Sequence, residues 1–159
     1  MSLMDNLLDG WRRWFGNGYS KVMGILRHRY ADEMQHAARF SQHAQKMHYP
    51  QFRDALLRIA ADETKNAGWI AEKIRALDGQ LPDVLESPLF EENSWQYLLT
   101  DLEEERRCGA DLEEEILSIQ SDYPEIAELL QRIGDEERRH RDELRGMLMR
   151  SDPFALWPA

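Results

Sequence analysis

The segment DEERRHRDEL, residues 135–144, decides how this chain folds. Within it Glu137 and His140 lie three residues apart, so on an α-helix both side chains lie on the same face. Apolar residues continue that face at steps of four and three, at Ile126, Leu130, Ile133, Leu144 and Met147. Burying a carboxylate is costly unless a partner compensates its charge. The segment therefore predicts a buried helix whose apolar face carries a carboxylate and an imidazole for a functional reason.

Length and composition indicate one acidic domain. The chain has 159 residues, which suits one domain with a sizeable core, and its net charge of -10 disfavours nucleic acid or an anionic membrane as the main partner. Its one cysteine, Cys108, excludes an intramolecular disulfide and a Cys-rich zinc site. No apolar run approaches the roughly 20 residues of a membrane span, and the start lacks a signal-peptide pattern. We therefore expect a cytoplasmic protein without a membrane span.

Four long helices are predicted, and each has an apolar stripe that polar residues interrupt. The predicted helices span about residues 20–48, 50–77, 94–120 and 124–150, with Ser20 and Ser94 as N-caps. The interruptions are Glu33 in the first helix, Glu63 and Asn66 in the second, Glu105 in the third, and Glu137 and His140 in the fourth. Their neighbours Glu103 and Glu104 fall off the stripe and are predicted to face solvent.

The two halves of the chain repeat one plan. A shift of 74 residues places the corner Tyr49-Pro50 on Tyr123-Pro124, Glu63 on Glu137 and Asn66 on His140, and a shift of 72 places Glu33 on Glu105. Residues 78–93 contain Gly79, Pro82 and Pro88 and show no helical period. The prediction is an all-α fold, a four-helix bundle of two helical hairpins joined by a long crossover.

Two shorter segments flank the predicted bundle of residues 19–150. Residues 1–18 are predicted to be an N-terminal extension, in which residues 3–15 form a separate short amphipathic helix that Gly16 and Gly18 end. Its Trp-rich face favours packing on the bundle or on a second copy, with a membrane-surface helix as the alternative. Residues 151–159 form a tail whose aromatic residues are expected to cover one end of the bundle.

The four stripes face the bundle axis, so Glu33, Glu63, Glu105 and Glu137 are expected to converge near mid-height. Four carboxylates in one place repel each other unless they are protonated, paired with cations or bound to metal. A pair of divalent ions would neutralise them, and bundles that hold two metal ions use this set of residues.

With these residues in place, the chain resembles the ferritin-like superfamily, and most of all the rubrerythrin-type di-iron domain, over about residues 20–150. The resemblance implies two divalent ions, iron first with manganese or zinc as alternatives, that react with peroxide or dioxygen. It implies that Glu63 and Glu137 bridge the ions and that Glu33 and Glu105 are terminal ligands. His140 would complete one ion, and Asn66 or a water the other.

The chain departs from that family pattern in three ways. Asn66 stands where family members carry His, and Cys108 stands where they usually carry a second carboxylate three residues after the third-helix Glu. The Cys-rich rubredoxin segment that often accompanies the domain is absent from this sequence. Because an amide is a poorer iron ligand than imidazole, we expect a tighter ion beside His140 and a weaker one beside Asn66.

The other residues that stand out have structural interpretations. His36, three residues after Glu33, is predicted to contact a neighbouring helix, with replacement of the missing imidazole as the alternative. Cys108 is predicted to be a packing residue, with a redox role as the alternative. The remaining predictions are core for Tyr30, surface for His28, His43 and His48, and surface pairs for Arg58 and Arg132.

Two further functions are compatible with the pattern. A bundle whose metal site has degenerated could act through its surface as a structural or binding module, and Asn66 favours that alternative. A ferritin-like storage shell would assemble into a cage, which no sequence feature demands. A homo-oligomer, in particular a dimer, is expected for the domain.

Overall fold

The computed structural model describes residues 3–85, 91 and 93–154, with side chains from residue 16 onwards within those ranges. Four helices make up the fold: α1 (Leu3–Lys46), α2 (Pro50–Ala76), α3 (Ser94–Ile119) and α4 (Pro124–Leu148). The proline at the start of α2 and of α4 has no backbone N–H to satisfy, and the preceding Tyr49 and Tyr123 leave the helical conformation. Both Tyr-Pro corners are thus confirmed. None of these helices, over the described residues, has the length and hydropathy that a membrane span requires.

The helices form two hairpins, α1 with α2 and α3 with α4, which meet through α1–α3 and α2–α4 contacts. Side-chain contacts give the direction of α3: its start lies beside the end of α1, where His48 N donates to Ser94 Oγ at 3.0 Å. Its end lies beside the start of the bundle, where Lys21 donates to the Ser118 carbonyl at 3.1 Å. The end of α2, where the Tyr19 hydroxyl donates to the Leu77 carbonyl, and the start of α3 therefore lie at opposite ends of the bundle, as the crossover prediction requires.

The first helix corrects a prediction. α1 runs unbroken through Gly16, Gly18 and Ser20, so residues 3–15 belong to one long helix and not to a separate short one. The reason is energetic: a glycine inside a helix costs only about 1 kcal/mol relative to alanine, and no proline follows to stop the helix. The apolar side chains of residues 3–15, on which the packing prediction depends, lie outside the described side chains.

The N-cap of α3 also differs from the prediction by one residue. Asn93 is the cap, because its Oδ1 accepts a hydrogen bond from Gln96 N at 3.0 Å. Ser94 is the first helical residue, and its hydroxyl accepts from α1 instead.

The described part of the tail does not cover the bundle with an aromatic ring. Phe154 is 87 % exposed, while Trp157 lies outside the described residues. The backbone makes the contacts instead: Asp152 N donates to the Tyr49 hydroxyl, and the Pro153 carbonyl accepts from Asn93. These bonds turn the tail so that the Phe154 ring points away.

The buried apolar side chains fall into two clusters. One lies at the Tyr123 end and includes Leu26, Ile70, Leu112 and Leu130. The other lies at the Tyr49 end and includes Phe40, Leu56, Leu98 and Leu144. The residues that interrupt the stripes lie between the two clusters in sequence on every helix, so a polar layer crosses the middle of the bundle.

Candidate metal centre

All six predicted ligands are buried in the polar layer. Glu33 comes from α1, Glu63 and Asn66 from α2, Glu105 from α3, and Glu137 and His140 from α4, and none is more than 5 % exposed. Because each helix repeats every three to four residues, the stripe positions necessarily face the axis that the four helices share. The register of α3 is correct as well, since Glu103 is exposed and half-buried Glu104 pairs with Arg107 at 2.6 Å.

The four carboxylates lie close enough to interact. Burial raises the pKa of Glu33 well above its ordinary value, and repulsion by Glu63 and Glu137 raises it further. Burial, together with repulsion by Glu105 and Glu63, raises the pKa of Glu137 to about 8. At neutral pH the metal-free centre therefore keeps protons on some of its carboxylates.

Glu63 lies between two imidazoles. Its Oε1 is 2.9 Å from His140 Nδ1, and its Oε2 is 3.7 Å from His36 Nδ1. Burial alone would raise the pKa of Glu63, but hydrogen bonds with His140 and His36 outweigh burial and lower the pKa to about 2. The two oxygens of one carboxylate thus face two different imidazoles.

His36 belongs to this layer, although the flank position on its helix favoured a purely structural contact. Its Nδ1 is 3.4 Å from Glu105 Oε1, and it forms a buried group of potential metal ligands with Glu63 and Glu105. Its other nitrogen, Nε2, lies 3.7 Å from Cys108 Sγ. The sequence contained the signal, since Glu33 and His36 repeat the spacing of Glu137 and His140.

His140 has an outer partner as well. Its Nε2 lies 3.4 Å from Asp62 Oδ2, and Asp62 in turn pairs with Lys65 at 2.9 Å. A carboxylate on the outer nitrogen of a histidine fixes the orientation of the ring and its tautomer. Asp62 is part-exposed, so this contact links the buried layer to the surface.

Arg29 is a buried charge that the sequence analysis missed. Its side chain is 1 % exposed; Nε donates to Glu115 at 2.5 Å and Nη1 to the Cys108 carbonyl at 3.2 Å. Burial and the neighbouring carboxylates raise the pKa of Glu137, whereas the guanidinium lowers it. It lies four residues before Glu33, one turn along α1, but no stripe position marks it.

The prediction that His43 lies on the surface is wrong. His43 is fully buried, and its Nδ1 lies 2.7 Å from Oδ2 of Asp101, a buried carboxylate of α3. The Tyr97 ring lies against the imidazole, with centroids 4.1 Å apart. The physical reason is that α1 and α3 bury a wider face against each other than a single stripe. The spacing in the sequence indicates this burial, because His43 follows His36 by seven residues and Asp101 precedes Glu105 by four, which places each pair on one helix face.

The other side-chain predictions agree with the structure. His28 and His48 are exposed, and Tyr30 packs against the apolar cluster at the Tyr123 end. Arg58 pairs with Glu143 at the surface at 2.7 Å, and the Arg132 guanidinium lies 4.2 Å from the ring centroid of Trp69.

The polar layer contains buried side-chain atoms without well-aligned hydrogen bonds, and these atoms are suited to bind metal ions. Nine buried side-chain atoms in it make no well-aligned hydrogen bond to a described residue: one or both oxygens of each of the four glutamates, both amide atoms of Asn66, and Nδ1 of His140. Two of these atoms, Glu63 Oε1 and His140 Nδ1, face each other as an ion pair at 2.9 Å. Buried polar groups normally make hydrogen bonds, so this concentration of buried ligand atoms in one layer fits a metal site. Carboxylates with imidazole are a donor set for iron, manganese or zinc.

The fold and the centre define a class of protein, a four-helix bundle with a carboxylate and imidazole centre at mid-height. The chain belongs to the Rubrerythrin family, whose model matches residues 24–148, and this is a ferritin-like di-iron carboxylate family. A search of curated proteins finds no match.

Proposed function

We propose that the chain binds two divalent metal ions, iron first and manganese or zinc as alternatives, in the polar layer. The observation that carries the proposal is the set of nine buried polar atoms between the two apolar clusters that make no well-aligned hydrogen bond to a described residue. Family membership supports it, because the rubrerythrin family is a di-iron carboxylate family. When bound, iron would supply redox chemistry toward peroxide or dioxygen.

Each residue has a role in this proposal. Glu63 and Glu137 would bridge the ions, with Glu33 and Glu105 as terminal ligands. His140 would complete one ion, with Asp62 holding its ring from outside. Asn66 or a water was predicted to complete the other ion, and the amide atoms of Asn66 have no hydrogen-bond partner among the described residues. The flanking apolar clusters would keep bulk water from the centre.

Anaerobic titration of the metal-free protein with Fe(II) or Mn(II) tests the proposal. We expect two ions per chain and, at about a hundred times the dissociation constant, roughly 2.7 kcal/mol of added stability, which corresponds to a rise in Tm of about 5–10 °C. The Fe(II)-loaded protein should consume peroxide as its iron oxidises.

The matched variants are Glu63→Gln, inside the layer, and Glu103→Gln, on the exposed face of α3. Only the first should abolish binding. A natural chain that binds no ion and whose Tm is unchanged by Mn(II), Fe(II) or chelator would instead support a degenerate centre and a structural or binding module.

A further inference from the structure

The centre contains a second imidazole that the stripe pattern does not include. We propose that His36, from α1, is the imidazole ligand of the second ion, and that it takes the role expected of Asn66. This inference rests on the proposed function and specifies the donor set of the same centre.

The distances around His36 suit an ion between the three side chains. Two ligand atoms that each lie about 2.1 Å from one ion are about 3.0–3.4 Å apart at octahedral or tetrahedral angles. Nδ1 of His36 lies 3.4 Å from Glu105 Oε1 and 3.7 Å from Glu63 Oε2, which is at and slightly above this range. An ion could therefore be accepted with shifts of a few tenths of an ångström.

Glu63 gives the two imidazoles separate positions. His140 faces Oε1 of this carboxylate and His36 faces Oε2. If Glu63 bridges two ions, one imidazole then stands on each side of the bridge. Each ion would then have a nitrogen ligand. The difference in affinity between the two ions that is expected from Asn66 would therefore be removed.

Two departures from the family pattern bear on the role of this one imidazole. Asn66 leaves α2 without a histidine, and His36 supplies an imidazole from α1 in the same layer. Cys108 stands in place of the usual second carboxylate, and its Sγ contacts Nε2 of His36 at 3.7 Å. With Nδ1 toward the carboxylates, Nε2–H is free to donate to the sulfur, which would orient the ring.

A competing group lies on the other side of the ring. His36, Glu104 and Cys108 also bring potential ligand atoms within 4.8 Å of one another. Glu104, however, is half-buried and already pairs with Arg107. The carboxylates of the buried group face imidazoles instead: Glu63 lies against His140 and His36, and Glu105 lies 3.4 Å from His36. Neither Glu105 oxygen makes a well-aligned hydrogen bond to a described residue.

Calorimetric titration with Mn(II) and an anomalous-scattering map of Mn(II)-loaded crystals test the proposal together. In the natural chain the map should show an ion within bonding distance of His36 Nδ1. His36→Gln should weaken one of the two sites at least tenfold, and Asn66→Ala should weaken it less. The control His43→Gln changes another buried histidine of α1 outside the centre and should leave both affinities within about threefold.

Three results would overturn the inference while leaving the proposed function intact. They are two bound ions with Nδ1 of His36 bonded to neither, affinities that His36→Gln does not change, or an ion held by Cys108 on the Nε2 side. A natural chain that binds no Mn(II) and no Fe(II) would instead refute the proposed function itself. If His36→Gln does not fold, the map of the natural chain decides.

Discussion

Asp62 contacts the outer nitrogen of the predicted ligand His140, so its removal should weaken metal binding. Asp62→Asn keeps the size of the side chain but weakens its hold on His140 Nε2, 3.4 Å away. We expect Mn(II) affinity at one site to fall about tenfold, the lower end of what such outer contacts contribute. Asp54→Asn, at an exposed position on the same helix, is the control. Equal affinities for both variants and the natural chain would show that Asp62 does not orient the ring.

His43 and Asp101 should act as a pair in stability. His43→Leu removes the closest ion-pair partner of the buried Asp101 carboxylate among the described residues, leaving Arg39 3.8 Å away, and should lower the free energy of unfolding by about 3–5 kcal/mol. The double variant His43→Leu/Asp101→Leu should recover much of this loss, because no uncompensated charge remains. Urea unfolding of the metal-free protein measures both, with His28→Leu as the exposed control on α1. A single variant that loses less than about 1 kcal/mol would contradict this role.

At the scale of the residue, the sequence pattern predicts burial for side chains on the stripes but not for side chains on their flanks. Glu33, Glu63, Glu105, Glu137 and His140 break an apolar period, so their burial follows from helix geometry alone. His43, Asp101 and Arg29 are buried by contacts between α1 and α3, and how wide a face two helices bury depends on their packing. One sequence does not fix that packing.

At the scale of the element, α1 allows a test of whether glycine ends a helix. Gly18 and Gly24 both lie inside the unbroken α1, and a Cβ at either meets no atom closer than 3.7 Å. Alanine at each position should therefore raise the free energy of unfolding by about 0.5–1 kcal/mol. Chemical unfolding with circular dichroism measures both changes. If Gly24→Ala stabilises the protein and Gly18→Ala destabilises it, the helix ends near Gly18.

The ends of the other helices depend more on the residues at those ends than the path of α1 does. Tyr49-Pro50 and Tyr123-Pro124 are found as predicted, because proline restricts the residue before it whatever the tertiary structure. The cap of α3 was predicted one residue late, because Asn93 and Ser94 are both good caps and the contact of Ser94 with α1 decides between them.

For the whole molecule, metal binding should release protons. Glu33 and Glu137 have raised pKa values, that of Glu137 being about 8, so near pH 7 they hold protons that a metal ion must displace. Mn(II) affinity should therefore rise from pH 6 through pH 8, by up to about tenfold per pH unit for each proton released, and level off only where the pH exceeds the pKa values of the displaced groups. Calorimetry in two buffers of different ionisation enthalpy counts the protons. Affinity that does not change with pH would contradict this expectation.

The polar layer also divides the bundle as a folding unit. The buried apolar side chains form separate clusters at the Tyr49 and Tyr123 ends, so in the metal-free protein each end can open without exposing the other. Amides near the middle of the helices would then exchange with solvent faster than those at either cluster. A ligand that ties all four helices together at mid-height would join both ends into a single cooperative unit, with the slowest-exchanging amides moved from the ends to the centre.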